Sequence, residues 1–129
     1  MREPKLRTPL ARVLGRGAAK SGTDDFWRQR LTAVSNVPLT IAFVLIVVSL
    51  LRRDHATAVA ALGSPVVAVL MLLFIASITF HMRIGMQVII EDYVHGEVTK
   101  LVLIMLNTFF AIAVALTAAF AILKLSFGV

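Results

Sequence analysis

Apolar residues form three long runs along this chain, separated by short polar segments. The first run covers residues 31–51, the second 64–90 and the third 101–123. Each run is close to the ~20 apolar residues that an α-helix needs to cross the hydrocarbon core of a bilayer. The segment RRDHATAVAALG, between the first two runs, predicts a polar turn with a short interfacial helix. The pattern therefore predicts an all-α integral membrane protein, a bundle of three transmembrane helices.

The composition agrees with a membrane protein and excludes other classes. Of the 129 residues, 59% are hydrophobic, and the mean hydropathy of +0.90 is too high for a soluble domain. The chain has no cysteine. It therefore carries no disulfide, no zinc–thiolate site and no iron–sulfur cluster of its own.

The positive charge is concentrated at the N-terminus. Eight of the thirteen Lys and Arg residues lie in the first thirty positions, and the formal net charge is +6. This distribution predicts a basic cytoplasmic arm over residues 1–30, which contacts anionic lipid rather than nucleic acid, and an anchor domain over residues 31–129. No apolar signal segment precedes the runs. We expect the bacterial inner membrane rather than the mitochondrial one, with the C-terminus on the periplasmic side.

Ionisable side chains occupy the end of the second apolar run, in the stretch HMRIGMQVIIEDY. Such groups are costly at membrane depth and by default mark a functional site. On an ideal helix Asp92 returns to within roughly 20° of the direction of His81. Ser77 and Gly85 lie one turn before and after His81 on the same stripe. A gap of this kind suits a flat ring lying across the helix, such as the edge of a haem.

A second polar row, formed by Arg83, Gln87 and Glu91, runs along the side of the same helix away from His81. A membrane helix that is polar on two faces has to be covered by other protein or by a water-filled cavity. Two neighbouring helices do not easily cover both faces, so the pattern predicts a partner membrane subunit. Asn107 and Thr108 in the third run are expected to form interhelical hydrogen bonds.

Two motifs resemble a known family. The first is DDFWRQRLTAVSN, at the start of the first run, and the second is HMRIGMQVIIEDYVH, at the end of the second run. Both resemble the smaller hydrophobic membrane-anchor subunit of succinate dehydrogenase, respiratory complex II. The resemblance extends from about Ser21 to the C-terminus. It implies that the three helices are half of a six-helix heterodimeric anchor, whose other half is the larger membrane-anchor (cytochrome b) subunit. It also implies an iron–sulfur subunit and a flavoprotein subunit, which alone would carry the iron–sulfur clusters and the flavin.

The resemblance also implies a role for four residues. His81 would be one axial ligand of the iron of a haem b shared with the partner subunit, and Arg30 would approach a haem propionate. Tyr93 would donate a hydrogen bond to a carbonyl of ubiquinone, the substrate, and Asp92 would border that pocket. No residue here would be catalytic for succinate. We therefore expect a subunit of succinate:ubiquinone oxidoreductase with no independent activity.

The chain departs from the family pattern at Arg83, where an uncharged residue is expected, and at Glu91, an added carboxylate. Other functions are compatible with the residues alone. One is a purely structural anchor without haem, and another is a small proton or ion transporter that uses His81, Arg83 and Asp92 as a relay. A third is the anchor of a fumarate reductase.

Several of these residues also have a simpler structural interpretation. His81 could form only a helix–helix hydrogen bond, and Tyr93 is typical of the aromatic belt at a membrane surface. Ser35 and Asn36 could reach a ligand or merely another helix. Pro38 predicts a kink in the first span or an unwound start of it.

Overall fold

The computed structural model describes residues 20–128, and within that range it contains four helices and no strand. The helices are α1 (Lys20–Leu50), α2 (His55–Gly63), α3 (Pro65–Tyr93) and α4 (Glu97–Phe127). Three of them are long and apolar enough to cross a membrane: Asp24–Leu50, Pro65–Tyr93 and Glu97–Phe127. The predicted all-α bundle of three transmembrane helices is therefore confirmed.

The helices extend beyond the apolar runs that predicted them. α1 begins at Lys20, upstream of the expected boundary at Leu31, so the end of the predicted basic arm continues into the first span as one helix. Residues 1–19 of that arm lie outside the described residues. α4 likewise begins at Glu97 and ends at Phe127. Helical hydrogen bonding continues across these polar flanks because it pairs backbone N–H and C=O groups that would otherwise need other partners.

Pro38 lies inside α1 without ending it. Its ring nitrogen has no hydrogen, so the carbonyl of Val34 receives no helical hydrogen bond at that point. The helix is nevertheless assigned without interruption from Lys20 to Leu50. Of the two alternatives predicted for Pro38, a kink or an unwound start of the span, the unwound start is therefore excluded.

The predicted short helix between the first two spans is present as α2. Asp54 caps it: the carboxylate accepts hydrogen bonds from the Thr57 hydroxyl and the Thr57 backbone N–H. These hydrogen bonds hold the pKa of Asp54 below its usual value. At the other end of α2, a Cβ placed on Gly63 would lie 2.6 Å from the carbonyl oxygen of Leu125. The backbones of α2 and α4 therefore lie so close together that only a glycine fits at this position.

α3 is the central helix of the described fold. It packs against α1 on one side and α4 on the other, whereas α1 and α4 make no substantial contact with each other. Phe74 of α3 stacks on Phe43 of α1, with ring centroids 4.8 Å apart. Most buried side chains belong to α3, namely Ala68, Phe74, Thr79, Ile84 and Ile90. The ionisable groups of α3 consequently meet neighbours on two sides.

The outer helices keep most of their apolar surface exposed. None of the apolar window of α1 is buried, and large side chains such as Val34, Phe109 and Phe120 are more than 60% exposed. A surface of this kind suits lipid tails or another membrane subunit, because in either environment its contact with water is removed.

Candidate functional site

His81 is half-buried on α3 and faces α1. Its Nδ1 lies 3.0 Å from the hydroxyl oxygen of Thr32, which is the only hydrogen-bond partner found for the ring within residues 24–128. Thr32 is one of the α1 residues directed at α3. The contact joins the two helices near the middle of α3, which runs from Pro65 to Tyr93.

The surroundings of Thr32 indicate which nitrogen of His81 carries the proton. The Thr32 hydroxyl donates to the backbone carbonyls of Arg28, at 2.9 Å, and Gln29, at 3.0 Å. A hydroxyl has a single hydrogen, so once that hydrogen is directed to the backbone the oxygen can only accept from the ring. The arrangement thus favours the tautomer with hydrogen on Nδ1. The lone pair of Nε2 is then available to another group.

The small residues on either side of His81 also meet α1. The hydroxyls of Ser77 and Ser35 are 2.7 Å apart. A Cβ built on Gly85 would lie 3.8 Å from the side-chain nitrogen of Gln29. The stripe interpreted from the sequence as a gap for the edge of a flat ring is therefore occupied by the first helix. That interpretation is corrected: small side chains at these positions let α1 and α3 approach, as in other membrane helix pairs.

On an ideal helix, Arg30 points roughly 200° around α1 from Thr32. Its side chain is exposed. The guanidinium carbon sits 4.2 Å from the centre of the Phe26 ring. The ring of Trp27 packs edge-on against Phe26 with centroids 6.0 Å apart. The structure therefore places Arg30 in a cation–π contact on the outer side of α1. It does not bring Arg30 and His81 together through a shared contact.

Asp92 and Tyr93 end α3 and are both exposed, Tyr93 by 77%. Twelve residues separate Tyr93 from His81, which is ~18 Å along a helix. A cleft of about 270 Å³ opens nearby between α1 and α3, and among its lining residues are Asp25, Gln29, Gln87 and Glu91. The end of α3 thus offers a free phenol and several carboxylates beside a polar opening.

The second polar row of α3 meets two different environments. The Nε of Arg83 donates to the hydroxyl of Thr108 on α4 at 3.3 Å, and the amide of Asn107 donates to the backbone carbonyl of Arg83 at 2.9 Å. Gln87 donates to Glu91 at 2.8 Å. The predicted interhelical role of Asn107 and Thr108 is confirmed.

Because His81 contacts α1 and Arg83 contacts α4, the two side chains lie on opposite seams of the central helix. A proton or ion relay needs successive groups within hydrogen-bonding reach of one another. The relay considered from the sequence, through His81, Arg83 and Asp92, is not assembled by this fold. No group of three or more potential metal-binding side chains is found in the described part of the chain.

Sequence reasoning did not single out Thr32 or Gln29, although both take part in the seam between α1 and α3. Their positions carried a signal. Gln29, Thr32, Ser35 and Asn36 recur at intervals of three and four residues, which places polar side chains on one face of α1. The Oδ1 of Asn36 is buried and has no hydrogen-bond partner among the described residues. The polar face of α1 thus continues from the polar end of the helix into the membrane-spanning part.

Comparison with known proteins agrees with this architecture. The model of the family described as "Succinate dehydrogenase/Fumarate reductase transmembrane subunit" matches residues 4–122. The chain is 28% identical over 121 residues to the succinate dehydrogenase hydrophobic membrane anchor subunit of Paracoccus denitrificans, covering 94% of this chain and 93% of that one. It is 34% identical over 98 residues to the succinate dehydrogenase membrane anchor subunit of Reclinomonas americana, covering 74% and 82%.

A third relative, the succinate dehydrogenase hydrophobic membrane anchor subunit of Rickettsia bellii, is 26% identical over 107 residues, covering 83% of this chain and 86% of the relative. No solved structure gives a significant match. The family match covers the first two membrane helices, the third as far as residue 122, and both motifs that carried the resemblance. The chain is an integral membrane protein and belongs to the family of succinate dehydrogenase and fumarate reductase transmembrane subunits.

Proposed function

We propose that this chain is the hydrophobic membrane anchor of a succinate:ubiquinone oxidoreductase. In this function it holds an iron–sulfur subunit and a flavoprotein subunit at the membrane and pairs with a larger cytochrome b subunit. The succinate chemistry and its flavin belong to those partners. The basic N-terminus supports an orientation in a bacterial inner membrane with the end of α3 on the cytoplasmic side.

The observation that carries the haem part of the proposal is the hydrogen bond between Thr32 and His81. A histidine that ligates iron commonly donates its other ring N–H to an oxygen, which fixes the tautomer and the orientation of the ring. Here the Thr32 hydroxyl can accept from Nδ1, and Nε2 has no partner among the described residues. The donor set therefore fits one axial ligand of a haem b.

When bound, haem b would supply a one-electron redox centre in the membrane. The chain's own contribution is to hold the His81 ring by a single oriented hydrogen bond. Arg30 is proposed to contact a haem propionate. Its guanidinium carbon lies over the Phe26 ring, and its N–H groups can donate hydrogen bonds to an anion.

The ubiquinone site is proposed at the exposed end of α3. The Tyr93 side chain is 77% exposed, so its hydroxyl is free to donate to a quinone carbonyl. That oxygen gains negative charge during reduction, and a preorganised donor stabilises such charge. Asp92 is exposed beside it and is proposed to border the pocket.

The test is purification of the complex from native membranes, followed by an absorption spectrum. We expect the three partner subunits to co-purify and the reduced complex to show a six-coordinate low-spin haem b. In His81→Ala the axial bond is lost, so the reduced spectrum should shift, although the pocket can retain the haem. An unchanged low-spin spectrum in His81→Ala excludes the ligand assignment, and a complex without haem supports a purely structural anchor.

A further inference from the structure

Arg83 is the one charged residue inside the three apolar runs, residues 31–51, 64–90 and 101–123. It lies seven residues before the end of the second run at residue 90, which is ~10 Å along the helix. Half the hydrocarbon thickness of a bilayer is about 15 Å. The α-carbon of Arg83 therefore lies well inside the apolar part of the membrane, where an unpaired charge is costly.

The guanidinium is held at this depth by α4. Its Nε donates to the Thr108 hydroxyl at 3.3 Å, and that hydroxyl in turn donates to the carbonyl of Ile104 at 3.0 Å. Thr108 is seven residues past the start of the third run at residue 101, likewise ~10 Å along its helix. Because Arg83 and Thr108 lie at similar depths, the hydrogen bond directs the guanidinium sideways, toward α4. The side chain is not extended toward the lipid phosphates.

No anion within the described part of the chain balances this charge. The bond to Thr108 is the only hydrogen bond found for the Arg83 side chain among residues 24–128. The carboxylates of α3 and α4 all lie at the polar end of the helices, as Glu91, Asp92 and Glu97. Glu91 is two turns away, ~12 Å along α3, and accepts a hydrogen bond from Gln87. The two terminal nitrogens of the guanidinium thus keep four N–H donors for an external acceptor.

We propose that Arg83 pairs with a carboxylate side chain from a transmembrane helix of the neighbouring membrane subunit. A charge at membrane depth is far less costly when it is paired with an anion, and the hydrogen bond to Thr108 directs it away from the lipid phosphates. Two parallel N–H donors of a guanidinium match the two oxygens of a carboxylate. The pair would select one partner helix and one register along α3, because any other arrangement would leave a buried charge without its partner. The inference rests on the proposed function in requiring a neighbouring membrane subunit.

The first experiment measures co-purification of the neighbouring membrane subunit with the tagged chain, expressed with all partners. Arg83→Leu should lower the co-purified fraction about tenfold or more, because it leaves a partner carboxylate buried without its cation. Arg83→Lys keeps the charge and should retain most of the complex. Thr108→Val removes only the Nε partner and should also retain most of it. Lys124→Leu, at the exposed opposite end of α4, is the matched control and should equal wild type.

A second experiment identifies the anion directly. The complex carrying Arg83→Lys is treated with a membrane-permeable carbodiimide, which activates a carboxylate for attack by the introduced amine. An amide then forms between the two side chains, and the carbodiimide leaves as a urea. Mass spectrometry should find the introduced amine cross-linked to an Asp or Glu of the neighbouring membrane subunit, and wild-type complex should lack that cross-link.

Four outcomes would overturn the inference. Wild-type assembly of Arg83→Leu would show that no partner carboxylate depends on it. Equal loss in Thr108→Val would assign the effect to the contact between α3 and α4. If Arg83→Leu assembled fully but shifted the haem spectrum, the anion would be a haem propionate. If Arg83→Leu lost assembly and regained it when anionic lipid was replaced by neutral lipid, the anion would be a lipid phosphate. If the wild-type chain itself co-purified no membrane subunit, the proposed function would fail independently of Arg83.

Discussion

His81 receives its direction from Thr32, a residue of the first helix that lies 49 positions earlier in the chain. The hydroxyl of Thr32 is 3.0 Å from Nδ1 and also bonds its own helix backbone. The seam between α1 and α3 therefore decides how the imidazole of α3 is presented. A hydrogen bond of this kind makes a ligating histidine a stronger electron donor. Thr32 is accordingly a positioning residue for the proposed haem.

Replacing Thr32 tests that role. Thr32→Val has nearly the same shape but no acceptor for the Nδ1 hydrogen, so the ring should become a weaker donor and the haem reduction potential should rise. Thr32→Ser keeps the hydroxyl and should stay near wild type. Redox titration of the purified complex measures both. Equal potentials in Thr32→Val and wild type would exclude a bond from Nδ1 to Thr32 in the assembled complex.

Tyr93 allows a second test at the level of one residue. Tyr93→Phe removes the hydroxyl and keeps the ring, so packing and assembly should survive. Loss of one hydrogen bond to the quinone should cost on the order of 1–3 kcal/mol, or roughly 5- to 150-fold in the succinate-to-ubiquinone rate. Succinate oxidation with a soluble artificial acceptor draws electrons upstream of the membrane and should not change.

The matched variant Tyr93→Ala also removes the ring, so its effect on the docking of the partner subunits can be separated from that of the hydroxyl. If Tyr93→Phe reduced ubiquinone normally, Tyr93 would be an aromatic anchor at the membrane surface. The quinone contact would then have to be sought at Asp92 or on a partner subunit.

At the scale of helices, two glycines at helix contacts differ in the space that surrounds them. A Cβ on Gly63 would lie 2.6 Å from the Leu125 carbonyl oxygen and 3.2 Å from its carbon, both backbone atoms. A Cβ on Gly85 would lie 3.8 Å from the movable end of Gln29. The first contact joins α2 to the end of α4 and cannot relax without moving a helix, whereas the second is an ordinary van der Waals distance.

These distances predict opposite results for the same substitution. Gly63→Ala should lower the stability of the complex by about 1–3 kcal/mol, as overpacking does. Gly85→Ala should be neutral or slightly stabilising, because alanine favours the helix over glycine. Thermal unfolding of the two purified variants side by side provides the measurement. A Gly63→Ala complex as stable as wild type would contradict the close approach of α2 and α4.

At the scale of the whole molecule, three spans arranged about one central helix leave wide surfaces uncovered. α1 and α4 each contact α3 but make no substantial contact with each other in the described residues. The exposed apolar side chains could be covered by lipid alone, but the polar groups could not. The cleft beside Glu91, the guanidinium of Arg83 and the Nε2 of His81 all need protein, a cofactor or water.

The chain expressed without partners should therefore aggregate or be degraded. Its half-life in membranes and its elution profile in mild detergent measure this, with co-expression of the partner subunits as the control. Stable, monodisperse protein from the chain alone would contradict assembly as half of a larger anchor.

The sequence by itself determined the class of fold, because hydrophobicity over ~20 residues and the lack of backbone partners in lipid leave only the helix available. The spans, the short helix α2 and the polar role of Asn107 all follow from such local patterns. The motif HMRIGMQVIIEDYVH also identified the family, since its histidine, glycine and Asp-Tyr pair occur at a specific spacing.

The tertiary structure alone decided which side of α3 faces which neighbour. Helical periodicity places Ser77, His81 and Gly85 on one stripe but does not say what lies opposite, so the stripe was interpreted as room for a flat ring. In the fold, α1 lies against this stripe, because small side chains allow the two helices to approach. Ser35 then hydrogen-bonds to Ser77, and Thr32 hydrogen-bonds to His81. Partners of this kind come from residues more than forty positions apart in the chain, and no local pattern specifies them.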